Sequence, residues 1–519
     1  MSWRLTWATV LLPMCVGCGT GTGASDAAAV DDPCERSASM QVGASEGPLY
    51  RSVAPFEHHD IERSHLFKYS CSLQELGAGE RPVIEARRAP GDYFEPFNAQ
   101  TRERDELLIH GFGEKAGAPF GGYVAMLDAD TLEERWRTPL YDEEPASQWS
   151  WPGMVTAHGN GYLYAVYGNR FYKLDPVDGR ILAERALPEN EWGAVYNGFD
   201  VLPDGRLVTK NMESPFCPLN LINTLIPYSL ANQLLRRAVV VQTFGGLACH
   251  LLLNQLPSTL VILDPQRLDV VASFELPEPV AGRVTVREHD GQTYIYVPGS
   301  SSLYRYRYTG TEALPDLGWG PVVYVEPGQG PAAAASFLDD FVILQNSGYL
   351  RAGSLVAINI RDASKQFRSE PFELIDGVPL GPSFVLSQPA VDDDNNLVVA
   401  LDTLALQLAA VAFDPETGFD TRWRRPTISI AYPALSGPPG QRQVVVPDQL
   451  QLGPVSGDAL SGLAQDRVLW IDLFSGEKLA SSEGLDILPA PGNIVTPGFN
   501  GRFYYAGASG GVFELTVRR

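Results

Sequence analysis

The sequence predicts an all-β chain folded as a β-propeller of eight four-stranded blades, with seven blades as the alternative. Three observations carry this. A strand-sized phrase recurs at Val124 to Asp128, Phe171 to Asp175, Leu260 to Asp264, Leu355 to Asn359, Val411 to Asp414 and Leu469 to Asp472, each an apolar run that ends in Asp or Asn and enters a turn. A further extended stretch follows each copy, so the unit is a meander of strands that buries its apolar faces only by stacking on its neighbours. Glycine and proline, 50 and 40 of 519 residues, are plentiful enough to join many short strands by tight turns.

Taken in chain order, residues 1–17 read as an export signal, with Arg4 ahead of the apolar run Leu5 to Leu12 and small residues before Cys18. That box resembles a bacterial lipoprotein signal, which implies a lipidated (palmitate-bearing) Cys18, a membrane anchor and, with Gly19 rather than Asp next, the outer membrane. Residues 18–34 are Gly, Thr, Ser, Ala and Asp in the main and suit a flexible tether. Residues 35–104 form an amino-terminal segment expected along the rim, with Pro82 to Ala86, or a strand near Leu107 to His110, placed to close the ring. The propeller itself spans 105–519.

Its clearest blade has strands Met154 to Ala157, Tyr162 to Tyr167, Arg170 to Asp175 and Ile181 to Leu187. Leu303 to Tyr308 and Gly511 to Val517 are degenerate copies of the recurring phrase, and they bring the count to eight. Between Arg206 to Lys210 and Leu260 the chain inserts residues 212–258, too long for a strand connection. Beyond the signal, Cys34, Cys71, Cys217 and Cys249 are an even set in an oxidising compartment. Of three possible pairings, Cys34 with Cys71 and Cys217 with Cys249 keep each bridge local, and the second would clamp the insertion.

The chain carries 39 basic against 62 acidic residues, and loss of Arg4 with the signal leaves 38 − 62 = −24. Such an excess excludes nucleic acid as a partner. No nucleophile elbow, His-Glu-x-x-His zinc motif or phosphate loop is present. Trp151, His158, Glu191, Trp192, Tyr196, Asn197 and Lys210 gather at one corner of adjacent blades and are the candidate ligand-binding residues, although tryptophan between blades more often packs. His158 lies in a Gly-rich turn and is expected to face solvent. Asp392, Asp394 and Asn396, with Asp393 and Asn395 between them, are the candidate calcium ligands, against the simpler reading of a hairpin turn. The adjacent pair His58-His59 is a poor chelate and reads as surface. The repeated Asp128, Asp175, Asp264, Asp414 and Asp472 read as turn caps, since catalysis needs no copy in every blade.

Tyr123 to Asp128 followed by Leu132 to Arg137, Tyr172 to Gly179, Ala412 to Gly418 and Trp470 to Gly476 resemble the repeat of quinoprotein-alcohol-dehydrogenase-like propellers, the pyrroloquinoline-quinone (PQQ)-like repeat, over about residues 105–519. The resemblance implies a propeller, and in its enzymes a quinone stacked over the pore, calcium held by Glu and Asn, and an Asp base. The adjacent-cysteine disulfide of those enzymes is absent, and their docking tryptophans survive only at Trp136, Trp423 and Trp470. These losses fit relatives without the quinone. The leading expectation is a cell-envelope lipoprotein propeller that binds a protein, glycan or small ligand without catalysis and without cofactor. The alternative is an exported oxidoreductase or hydrolase with an axial active site, using calcium or a quinone.

Overall fold

The computed structural model describes residues 33–71, 73, 82–91, 93, 96–113, 121–140, 153–188, 194–213, 256–348, 353–373, 388–403, 405–449, 465–487, 492–507 and 511–518. They form eight sheets: in seven, four consecutive strands pair antiparallel in chain order, two of these sheets carrying short additional strands, and in the eighth three consecutive strands are joined by one from early in the chain. The first strands of blades 1 to 8 are Pro96–Thr101, Met154–Ala157, Ala194–Val201, Thr285–His289, Gln329–Leu338, Ala390–Asp392, Ala434–Ser436 and Thr496–Pro497. Each neighbours the next around a closed ring, so they line the axis. Fourth strands such as Ile181–Ala186 are largely exposed and form the outer wall. The apolar clusters each span adjacent blades: Val445, Val468 and Trp470 of blade 7 pack with Phe503, Tyr505 and Leu515 of blade 8. No blade buries its faces alone.

The ring is closed by an early strand. Val83–Arg88 pairs antiparallel with Gly511–Arg518, from Val83 opposite Arg518 to Arg88 opposite Phe513, and supplies the outer strand of blade 8. Blade 8 meets blade 1 through Thr496 Oγ1, which donates to the Ala99 carbonyl at 2.8 Å, and the Ile494 amide, which donates to Asn98 Oδ1 at 2.8 Å.

The recurring acidic residue caps the turn between third and fourth strands. Asp128 Oδ1 accepts from the amides of Asp130 and Thr131 at 3.0 and 2.8 Å, and Asp414 and Asp472 repeat the pattern. Asn359 does so with neutral chemistry, accepting from Arg361 and Asp362. Between blades, Trp136 lies on Gly179 of the next turn, where a Cβ would sit 2.4 Å from the indole, and its Nε1 donates to the Pro176 carbonyl at 3.0 Å. Trp423 repeats this on Gly476, donating to the Leu473 carbonyl at 2.8 Å. Trp319, which the sequence pattern did not single out, donates likewise to the Asn359 carbonyl at 3.0 Å. Trp470 does not dock on a turn; it is buried edge-on against Phe503.

Two expectations are corrected. The disulfide-clamped insertion is withdrawn, because no Sγ–Sγ pair is found among the described residues. Cys217 and Cys249 lie outside them, as does the Cys34 side chain; Cys71 is buried and is not a free thiol. The second correction concerns the amino-terminal segment. Instead of keeping to the rim, residues 49–67 thread the axis as a strap. Tyr50 N donates to the Ala157 carbonyl of blade 2, and the carbonyls of Ala54, Ile61, Ser64 and His65 accept from Thr101, Val286, Val391 and Leu435 of blades 1, 4, 6 and 7. Leu66–Phe67 then adds a parallel strand to Ala434–Ser436. The physical reason is the inner strands' unpaired edges: an axis lined by buried N–H and C=O groups must find partners, and this segment supplies them.

Candidate functional site

The axial site follows from how the strap turns. It enters beside the first turn of blade 2, where Ser45 N donates to the Gly159 carbonyl at 2.8 Å, and leaves by Lys68, whose ammonium pairs with Asp393 at 2.9 Å in the first turn of blade 6. Gly159 has no alternative, since a Cβ there would stand 1.9 Å from the Gly47 carbonyl oxygen. Both ends of the strap are thus on the face that carries the tight turns. Its apex reaches the other end of the axis, where the chain enters each first strand.

At that apex, polar side chains converge with exposures of 1% or less for Glu57, His58, Arg63 and His65. Glu57 pairs with Arg283, and its Oε1 accepts from Asn98 Nδ2 at 2.7 Å. Arg283 Nη1 lies 3.1 Å from His58 Nε2, His58 Nδ1 lies 2.8 Å from His65 Nε2, and His65 Nδ1 lies 3.1 Å from the Pro433 carbonyl. Arginine can only donate and a carbonyl can only accept, so the partners assign the tautomers. Arg283 donates to His58 Nε2, His58 Nδ1–H donates to His65 Nε2, and His65 Nδ1–H donates to Pro433. Gln388 Nε2 also reaches His65 Nε2 at 2.9 Å. The two imidazoles stack at 4.8 Å and Tyr432 lies against both, 5.2 and 5.4 Å away.

Burial and neighbouring arginines agree with neutral rings: desolvation, with Arg63 nearby, holds His58 well below the ordinary histidine range, and desolvation with His58 does the same for His65. Arg63 donates to the carbonyls of Val284 and Phe199 at 3.1 and 2.9 Å and stands 3.8 Å from Asp200, whose carboxyl burial pushes up despite that arginine. His58, expected with His59 at the surface, is therefore inside, while His59 is half-buried, and the sequence carried no signal of it.

The corner proposed from sequence is only partly assembled. Trp151, Glu191 and Trp192 lie outside the described residues. Tyr196 and Asn197 of blade 3's first strand and Lys210 of its second lie toward the apex end. Tyr196 donates to the Pro188 carbonyl at 2.7 Å, Asn197 Nδ2 to the Ala281 carbonyl at 3.2 Å and Lys210 Nζ to the Val280 carbonyl at 2.8 Å. Burial lowers the Lys210 ammonium well below its ordinary range. His158 sits at the opposite end, buried rather than facing solvent. Its Nε2 bonds the Gly205 carbonyl at 2.8 Å and its Nδ1 accepts from Asn160 N at 3.0 Å, so it pins blade 2 to blade 3.

The acidic run Asp392, Asp393 and Asp394 brings its carboxylates within 4.8 Å of one another, a spacing a cation would accept. Each already has a basic partner. Arg442 Nε lies 3.1 Å from Asp392 and its Nη2 2.5 Å from Asp394, while Lys68 takes Asp393. Asn395 Nδ2 donates to Asp392 at 2.7 Å, and Asn396 adopts φ 54°, the left-handed position of the hairpin turn between the first two strands of blade 6.

No family model matches this chain, and no curated protein does. Solved structures do. It is similar to the quinohemoprotein alcohol dehydrogenase ADHIIG of Pseudomonas putida HK5, at 11% identity over 89% of this chain and 80% of that one, TM-score 0.52. It is similar to the quinohemoprotein alcohol dehydrogenase of Comamonas testosteroni at 10% identity with the same coverage, TM-score 0.50. The WD40 domain of fission-yeast SCAP is matched at 9% identity over 84% of this chain and 98% of that one, TM-score 0.43. The chain is thus an eight-bladed β-propeller, similar in fold to the two quinohemoprotein alcohol dehydrogenases.

Whether the residues present fit a quinone can be tested on the axis. Where the resemblance would put a quinone over the pore, the axis is occupied by the buried Phe56, His58, Arg63 and His65, and both imidazoles and the Nε and Nη2 of Arg63 are bonded within the chain. These residues do not fit the cofactor, and no chemistry is derived through it.

Proposed function

We propose that this protein is a propeller of the bacterial cell envelope, tethered through a lipidated Cys18 to the outer membrane, that binds a protein, glycan or small ligand without catalysing a reaction. One observation carries the reading: residues 49–67 fill the axis and bond to its lining strands, where an axial enzyme needs an open, water-excluding pocket with free acid and base groups. Turnover on the axis would require a substrate to compete with the protein's own backbone. Ligand recognition then falls to the blade faces.

The second reading is the exported oxidoreductase. The two structural matches with TM-scores of 0.52 and 0.50 favour it over the first at the level of fold, at identities that speak of fold alone. Absorbance spectroscopy and mass spectrometry of protein purified from its own membrane separate the two. The binding reading expects no quinone spectrum and no dye-linked alcohol oxidation after incubation with PQQ and calcium; a stoichiometric quinone or recovered turnover overturns it. Metabolic labelling with an alkynyl fatty acid tests the anchor, since Cys18→Ala should abolish incorporation.

A further inference from the structure

We propose that the axial strap, residues 49–67, is an acid-released closure whose latch is the hydrogen-bonded pair of neutral imidazoles His58 and His65. The inference concerns how the axis opens and stands whichever ligand the propeller binds.

It rests on the direction of the bonds. The chain from Arg283 through His58 and His65 to the Pro433 carbonyl runs donor to acceptor at every step, so both imidazoles hold one proton and have no lone pair to spare. A proton added at His58 Nε2 faces the Arg283 guanidinium, and one added at His65 Nε2 faces the N–H groups of His58 and Gln388. Either turns an acceptor into a donor pointed at a donor.

The surrounding charges decide where the strain goes. Facing the pair are Glu57 of the strap, 3.4 Å from His58 Nε2; Arg63 of the strap, held by blades 3 and 4; Arg283, on the approach to blade 4; and Tyr432, on the approach to blade 7. Farther along are Asp200 of blade 3 beside Arg63, and His59, whose ring packs on Phe67 with Asp60 and Lys68 as its charged neighbours. Glu57 is the one facing carboxylate among the described groups in contact with His58, and it is already committed to Arg283. A second positive charge there costs most while the strap stays inserted and least once the rings reach water.

The sign follows. Both histidines have folded values below the ordinary 6.5, so the closed state binds fewer protons than the released one. Their contribution to closure is complete above about pH 6.5 and is lost as pH falls below it. By themselves the two sites favour release roughly 10³-fold at about pH 5, while Glu62 of the strap, its carboxyl pushed up to about 7 by burial, and Asp200, pushed up likewise, oppose them over the same range. Release uncovers Arg283, Asn98 and Gln388 at the apex end of the axis.

Hydrogen exchange on the full-length protein, read by mass spectrometry near pH 7.5 and near pH 5 and corrected for intrinsic rates, tests this. Peptides spanning 49–67 should exchange at least about 10-fold faster at the lower pH, while third-strand peptides covering Thr259–Leu263 and Ser354–Asn359 stay protected. In a His58→Asn/His65→Asn protein the strap should lose that pH response. Strap protection that is unchanged by pH, or lost together with the third strands, overturns the proposal. If the double variant does not fold, the wild-type contrast between strap and third strands still decides.

Discussion

The turn face and the axis use the same residue types for opposite purposes. At the turns, Asp128, Asp414 and Asp472 each serve the few amides that follow them, and the neighbouring blade is engaged by single side chains such as Trp136 lying on Gly179 and Thr138, which donates to the Gly179 carbonyl. On the axis, Glu57, His58, Arg63 and His65 bond to residues from Asn98 to Pro433, in blades far apart in sequence. A turn aspartate half in water is a local device that tolerates exchange for Asn359. A buried arginine has no such tolerance, because its charge and its donors must be matched where water cannot help. The comparison implies that damage at a turn stays in one blade, whereas damage at the axis spreads around the ring.

Arg63→Ala tests the axial half and carries the largest expected effect. It removes donors to the Val284 and Phe199 carbonyls and empties a fully buried site. A loss of about 3–5 kcal/mol is expected in chemical denaturation, with strap amides exposed first. A loss under about 1 kcal/mol would end the claim that the strap ties the blades together.

Next in size is Asp466→Asn. This carboxyl, on the third strand of blade 7, is buried, accepts from Tyr505 and is pushed up to about 7 by desolvation. The fold therefore keeps a proton that the unfolded chain gives up, and the group costs stability progressively as pH rises from about 4 to 7. Asparagine has no proton to lose, so the variant should gain about 2–4 kcal/mol over wild type near pH 8 and little near pH 4. This slope is opposite in sign to that of the histidine latch, so the two can be told apart in one pH series of denaturation curves.

Gly179→Ala sharpens the local half. The residue has φ +72° and a Cβ there would meet the Trp136 ring and Thr138 Oγ1, both at 2.4 Å. About 1–3 kcal/mol should be lost, with a shift in tryptophan emission but no change in strap exchange. Asp128→Ala is smallest, about 1 kcal/mol for amides that water can partly satisfy. Strap exposure in either turn variant would break the comparison.

Much of the ring was legible because its information is local. An apolar run, an aspartate and a glycine a few residues on specify a strand and its turn without reference to anything distant, and even the degenerate copies Ser302–Tyr308 and Gly511–Arg518 occupy third strands. Trp319 was not singled out because it follows the degenerate copy Ser302–Tyr308, which lacks the acidic terminus that precedes Trp136 and Trp423. The candidate site was less legible. His158 looked solvent-facing because Gly-rich turns usually are; the strap covers it, as the bridge from Leu49 to His158 records. The ion pairs of Asp392 to Asp394 carried no sequence signal because Arg442 and Lys68 arrive from elsewhere in the chain.

The strand repeat and the turn caps were written in the amino-acid order, because they depend on residues within one turn of each other, and the acidic surface in the composition. That residues 49–67 run through the axis, and that two histidines seven positions apart stack there as neutral partners, came from the assembled ring alone. The reason is that such contacts reward no local conformation. They exist because eight inner strands, once assembled, leave polar edges that one particular segment of the same chain can satisfy.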